Sequence, residues 1–218
     1  MSRYRKYKGY LINPEGLDGA GKTTAIKGAL EILKPKYGDR MIYYRDPGST
    51  EFAEKARWLL LESGLEISKE AEYYLYVSAR ADLVKRKIKP DMEQGKAVVV
   101  DRFYDSTFAF QGFRNGIPLK VIFEDNKRIS YGIMPNLTLL YRLDPEIAML
   151  RNLENGKMNR IDRESLEKHR KVYEGYEWVA KKFPSRVRII DASQSIEKVR
   201  EDTVKILDEF LANVLNHD

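Results

Sequence analysis

The sequence predicts an α/β fold in which helices cover both faces of a five-stranded parallel sheet. Three observations carry that expectation. Strand-like and helix-like stretches alternate along the 218 residues, the pattern of repeated βαβ units. Ala97-Val98-Val99-Val100 is apolar at every position between Gly95 and Asp101, as a strand buried on both faces requires. Gly16 to Thr23 reads G-x-x-x-x-G-K-T, and it lies between a strand-like and a helix-like stretch.

The elements follow in order. Tyr10-Leu11-Ile12 is the first strand, although Asn13 and Pro14 interrupt its apolar run and proline removes a ladder donor. Thr24 to Leu33 is a helix, Met41 to Tyr44 the second strand, and Asp46-Pro47-Gly48-Ser49 a turn. Thr50 is placed to cap a helix over Phe52 to Leu61. Lys69 to Lys87 is a longer helix that ends before Pro90. After the third strand come short helices near Ser106 to Gln111 and Leu119 to Ile129, and Leu137 to Leu143 is the fourth strand. Pro145 opens a helix running to about Asn155, because its fixed φ suits a first helical turn. A charged break over Gly156 to Arg163 precedes a helix over Glu164 to Phe183. Val187 to Ile190 is the fifth strand, and Ser195 caps a last helix to about Leu215. No repeat and no Pro/Gly/Ser linker divides the chain, so residues 1–218 read as a single domain with a lid over about 155–163.

Composition bounds the function classes. The chain has 43% hydrophobic residues, and no apolar run reaches the roughly 18 residues that cross a bilayer. The basic stretch Met1 to Lys8 is not followed by the apolar segment of a signal peptide. With no cysteine there is no disulfide, zinc thiolate or thiol nucleophile, which accords with a cytoplasmic location. The net charge of +6 suits anionic ligands, but the basic residues are spread along the chain, so neither a nucleic-acid surface nor a membrane partner is expected. His169 and His217, the only histidines, sit among charged residues and are assigned no catalytic role.

The site residues start from the phosphate-binding loop. Glycines let successive backbone N–H groups point at one anion, and the following helix adds its positive end. Gly16, Gly19, Ala20, Gly21, Lys22, Thr23 and Thr24 would bind the phosphates of ATP, with Lys22 reaching the β- and γ-phosphates and the Thr23 hydroxyl holding Mg²⁺. Asp18, inside the loop, can accept from a sugar hydroxyl or a metal-bound water, or stabilise the loop as an Asx turn. Arg45 and Arg102 each follow a strand, where a guanidinium fork can clamp a second phosphorylated molecule or form a structural ion pair. Asp101 can support Mg²⁺ through water. Tyr76 and Arg80, four apart on one helix, share a face that can stack on a base and read its edge, or simply join the core. The lid cations can cover a transferring phosphoryl group, or the segment can be an exposed charged loop.

Together these segments resemble the thymidylate kinase family of nucleoside monophosphate kinases. The resemblance is carried by EGLDGAGKTT at Glu15 to Thr24, RDPGST at Arg45 to Thr50, YVSAR at Tyr76 to Arg80 and DRFYDSTFAFQG at Asp101 to Gly112. It continues through LDPEIAMLR at Leu143 to Arg151, NRID at Asn159 to Asp162 and DASQSIE at Asp191 to Glu197, in the family's order and over nearly the whole chain. It implies the P-loop NTPase fold, transfer of the ATP γ-phosphoryl group to dTMP with Mg²⁺, and a homodimer. It also implies that Asp18 contacts the acceptor's 3′-hydroxyl and that Arg45 and Arg102 lie near the acceptor phosphate. In the same way Tyr76 stacks on thymine, Arg80 bonds a thymine carbonyl, and Thr107 and Gln111 line the base and sugar pocket. Phe110 crowds the sugar's 2′ position, and Gln194 lies near adenine.

Family members carry a catalytic arginine either in the phosphate loop or in the lid. Here the loop interior has no base, so the resemblance points to Arg160, with Arg151 and Arg163 in support. The chain departs from the family's common Glu-Pro-Gly-Gly at Asp46-Pro47-Gly48-Ser49, where a shorter carboxylate must be re-aimed and Ser49 adopts positive φ less readily than glycine. Two other readings stand beside this one: a kinase of another monophosphate such as dUMP, and a non-catalytic P-loop module that binds nucleic acid.

Overall fold

The computed structural model describes residues 7–154, 156 and 158–215. The expectations for most of Met1 to Lys8, for Asn155 and Lys157 of the lid, and for His217 lie outside the described residues. Five parallel strands form one sheet in the order β2-β3-β1-β4-β5. They are β1 (Tyr10–Gly16), β2 (Met41–Arg45), β3 (Ala97–Asp101), β4 (Leu137–Arg142) and β5 (Val187–Asp191). The central three are almost wholly buried, whereas the edge strands β2 and β5 are partly exposed. That is why β3 and β4 read as apolar runs and β5 as Val-Arg-Ile-Ile.

The helices are α1 (Lys22–Tyr37), α2 (Glu51–Leu61), α3 (Lys69–Leu83), α4 (Lys89–Glu93), α5 (Tyr104–Thr107), α6 (Leu119–Ile129), α7 (Pro145–Glu154), α8 (Leu166–Lys182) and α9 (Ile196–Leu215). α1 packs on α9, and α8 on the π-helical segment Phe108–Arg114 that continues α5. Thr50 caps α2 as expected, its hydroxyl accepting from the Ala53 N–H at 3.2 Å, and such a cap contributes about 1 kcal/mol. Lys198 N–H donates likewise to the Ser195 hydroxyl at the start of α9.

Two expectations are corrected. The third helix does not end before Pro90: α3 passes through a π-helical turn, Val84–Ile88, directly into α4. A widened turn leaves an N–H outside the regular ladder, so a residue without one is tolerated there. Nor does Pro14 end β1, which pairs with β4 as far as Gly16↔Tyr141. The Pro14 carbonyl accepts from the Arg102 N–H at 3.1 Å, so this residue turns its hydrogen-bonding edge towards β3. The β1–β3 pairing has already stopped at Ile12↔Val99, and the missing proline donor therefore costs no ladder bond.

Candidate active site

The strands end together. Arg45 is in register with Asp101, Gly16 with Tyr141, and Arg142 with Asp191, so their following loops meet along one edge of the sheet. Residues 17–24 wrap the start of α1 and line an open cleft of about 500 Å³, completed by Arg151, Glu154, Ala192, Gln194, Ser195, Ile196 and Val199. The loop's shape depends on glycine. A side chain at Gly19 would put its Cβ 2.2 Å from the Ala148 carbonyl oxygen, and Gly21 stands at φ 72° in the left-handed region. No side chain caps α1, so its first-turn N–H groups remain for an anion in the cleft. Gly16 instead ends β1, packed against Tyr141, and shapes the loop from behind.

Lys22 is buried, and its Nζ donates to Asp101 Oδ1 at 2.7 Å. Asp101 Oδ2 accepts from the Thr23 hydroxyl at 2.8 Å and from the Tyr43 hydroxyl at 3.0 Å. Burial pushes the Asp101 carboxyl up, but the Lys22 ammonium, Arg102 and these donors outweigh it and hold it at about 2. Because the folded value lies below the ordinary 3.8, the carboxylate stabilises the fold above that ordinary value. This contribution, roughly 2 kcal/mol, fades as pH falls through 3.8 towards 2. Urea midpoints measured between pH 5 and 2 should therefore fall less steeply for Asp101→Asn than for the parent; equal slopes would refute this assignment.

A second, narrower pocket opens beside the first. Asp18, Asp46, Pro47, Arg57, Leu61, Tyr76, Arg80, Arg102, Ser106, Phe110, Gln111, Asn159 and Ile161 line it. Asp18 lines both cavities and so marks their junction. Burial pushes its carboxyl up, yet Arg102 and Lys22 together hold it below the usual range. Arg102 donates to Asp18 Oδ1 at 2.6 Å and to the Tyr176 hydroxyl at 2.6 Å, and its guanidinium lies 5.2 Å from the Phe110 ring centroid. Arg80 is almost wholly buried, bonded to Asp46, Thr107, Asn126 and the Phe103 carbonyl. Asp46, the shortened acid, is thus re-aimed at Arg80. Ser49 does take a left-handed φ of 66°, held by its hydroxyl at the Arg45 N–H and by Glu54 at its own N–H.

The structure brings together Asp18, Tyr76, Arg80, Arg102, Phe110 and Gln111 in one pocket, and the phosphate loop with Gln194 in the other. Three of the expected residues lie elsewhere in this structure. Arg45 points away: it is exposed, ion-paired with Glu54 at 2.7 Å, and lines neither cavity. Thr107 stands behind Arg80 as its hydrogen-bond partner rather than on the pocket wall. Arg160 is not over the phosphate loop. Its side chain is bound to Glu72 and to the Leu60 carbonyl, its N–H bonds the Leu61 carbonyl, and with Arg163 it lines a separate open groove. Glu72 is a buried carboxylate that also takes Arg114, so it draws a nearby guanidinium strongly. Arg151 does line the first cleft, held by the Ala192 carbonyl at 2.9 Å. His169 lies on α8 and lines neither cavity.

Two contributors escaped the sequence reading. Arg57 lines the second pocket in the place Arg45 was expected to take, with Nη1 on the Pro47 carbonyl at 3.3 Å. The signal was there: Arg57 follows Ala56 within the stripe Ala53, Ala56 and Leu60 that α2 buries. Glu15 is fully buried and accepts from the N–H groups of Phe103 and Ser106, the Ser106 and Tyr176 hydroxyls and Asn13 Nδ2. It fixes the loop that carries Arg102, and a carboxylate next to last in β1, at the entry to the phosphate loop, was its visible sign.

Comparison with known proteins agrees with this geometry. A family model described as thymidylate kinase matches residues 15–203. A thymidylate kinase of Thermoanaerobacter sp. (strain X514) is 40% identical over 204 residues, spanning 94% of this chain and 100% of that protein. One from Hahella chejuensis is 41% identical over 194 residues, spanning 88% of this chain and 93% of its own. The crystal structure of thymidylate kinase from Ehrlichia chaffeensis superposes with a TM-score of 0.76 at 29% identity, over 92% of this chain and 98% of that one. A phosphate loop at the head of α1, a second pocket sharing its Asp18 wall, and these likenesses lead to one conclusion: the chain belongs to the thymidylate kinase family.

Proposed function

We propose that this chain transfers the γ-phosphoryl group of ATP to dTMP, giving dTDP and ADP, by direct in-line displacement. One observation carries the reading: two cavities, one built for phosphates and one for a flat ring with basic groups, meet at Asp18. ATP would lie in the loop cleft, its adenine towards Gln194 and Arg151 and its phosphates on residues 19–24. dTMP would lie in the second pocket, its base between Tyr76 and Phe110, with Arg80 and Gln111 at its edge and Arg57 and Arg102 at its phosphate. Asp18 then accepts from the sugar hydroxyl.

The donors fit Mg²⁺ as a hard cation bound mainly by phosphate: Thr23 offers a hydroxyl and Asp101 a carboxylate beside it. Bound there, Mg²⁺ would neutralise the charge of the phosphates. Lys22 leaves Asp101 for the phosphates, and Arg102 holds the acceptor in line, so positioning and charge neutralisation supply the catalysis. No side chain needs to form a covalent intermediate.

The single-domain reading and a cytoplasmic location belong to the same proposal; no helix among the described residues is long and apolar enough to cross a membrane. So does a homodimer. Phe52 and Trp58 on α2, Tyr74 on α3 and Phe123 on α6 are exposed on helices that pack in sequence, and a sedimentation mass of one chain would refute a dimer through them. The decisive experiment is ADP release with ATP and Mg²⁺ across a panel of nucleoside monophosphates. dTMP should give the highest kcat/KM; a different monophosphate at the head of the panel would reassign the acceptor.

A further inference from the structure

We infer that Asn126, a residue of α6 outside the pocket, aims the Arg80 guanidinium and thereby sets the preference for a ring carbonyl over a ring amine on the acceptor base. The inference deepens the acceptor reading proposed above and rests on it. A guanidinium has five N–H donors in a rigid fork. At Arg80, Nε donates to Asp46 Oδ2, Nη1 to the Thr107 hydroxyl at 2.7 Å and to Asn126 Oδ1 at 2.6 Å, and Nη2 to the Phe103 carbonyl at 3.3 Å. One Nη2 proton is left, on a side chain that lines the acceptor pocket. Arg80 therefore offers one donor rather than a fork, and its direction is set by the four bonds behind it.

Asn126, like the Thr107 hydroxyl, gives its oxygen to Arg80 alone among the described contacts. It is 1% exposed and lines neither cavity. Its Nδ2 donates to the Ile122 carbonyl at 2.8 Å, which fixes the amide so that its oxygen, not its nitrogen, faces the guanidinium. A single aimed N–H finds a partner in thymine, which presents a carbonyl at ring position 4, and faces another donor in cytosine, which presents an amine there. Leaving that buried N–H opposed by a donor is the costly outcome.

Asn126→Leu removes the oxygen at similar size, and Asn126→Asp keeps it. In the full-length enzyme Asn126→Leu should raise the KM for dTMP roughly tenfold, the loss of about one charge-assisted hydrogen bond, while kcat and the KM for ATP move less than about twofold. The ratio of kcat/KM for dTMP over dCMP should fall by a similar factor, and Asn126→Asp should recover most of both losses. A variant with unchanged dTMP KM and ratio, or one whose KM values for dTMP and ATP rise together as its melting temperature falls, would make Asn126 merely structural. Arg80→Lys separates the two levels. If it raises dTMP KM and Asn126→Leu does not, the base reading stands and the inference falls; if Arg80→Lys also changes nothing, the base reading is wrong.

Discussion

Lys22→Ala is expected to cut the rate of dTDP formation by roughly 10²–10³, the usual loss when one preorganised donor to developing charge is removed. The ammonium sits at the head of α1, in the wall of the loop cleft, where it can transfer from Asp101 Oδ1 to a phosphate oxygen without moving its backbone. It is also half of a buried ion pair, so its loss leaves Asp101 with only the Thr23 and Tyr43 hydroxyls and costs stability as well as rate. Removing one partner of such a pair costs about 3–5 kcal/mol. The two effects part in the double variant Lys22→Ala/Asp101→Asn, which lacks the stranded charge: its melting temperature should recover towards the parent's while its turnover stays low. Single-variant turnover within tenfold of the parent, measured well below its melting temperature, would sink the assignment of Lys22.

What the sequence made legible follows from which forces act locally. The phosphate loop needs glycine where the backbone is left-handed, and that local need is written at Gly19, φ 87°, and Gly21, φ 72°. The central strands show as apolar runs because both faces are buried. The second pocket was only partly legible. Tyr76 and Arg80 share a helix face, and that spacing survives folding. Arg45 lies outside the pocket because strand position gives a residue's address but not the direction of its side chain, and Glu54, one turn into α2, holds it. Arg160 rests away from the phosphate loop for the same reason at longer range: Glu72 lies 88 residues away in sequence, and nothing local announces that a buried carboxylate will face the lid. Pro14 and Pro90 looked like breaks because proline lacks a donor, but whether a donor is missed depends on what lies opposite, which only the assembled sheet and the π-helical turn reveal.

Arg102→Lys should be nearly as damaging as losing the loop lysine, although it keeps the charge. Arg102 stands at φ 64°, a left-handed position unusual for a side chain of this size, and its N–H is tied to the Pro14 carbonyl. That backbone is held in turn by Glu15, through the N–H groups of Phe103 and Ser106. From there the fork spans two directions at once: Nη2 meets Asp18 at the junction of the two cavities, and Nη1 meets the hydroxyls of Tyr176 and Ser106, with the plane beside the Phe110 ring. A lysine offers one compact charge and cannot bridge Asp18 and Tyr176 while also presenting a flat face to Phe110. Freed of its partner, Asp18 would lose the guanidinium that counts most in keeping it ionised, and the acceptor phosphate would lose its in-line anchor. A misplacement of about 1 Å in such a site costs around 10²-fold in rate, so kcat/KM for dTMP should drop by that factor or more, with kcat carrying most of the loss. Arg45→Ala is the natural contrast, since that side chain lies outside the pocket on Glu54, and it should stay within about threefold of the parent. Should Arg102→Lys turn over like the parent while Arg45→Ala fails, the acceptor phosphate would be held on the β2 side of the same sheet edge, and the geometry argued for the second pocket would have to be abandoned.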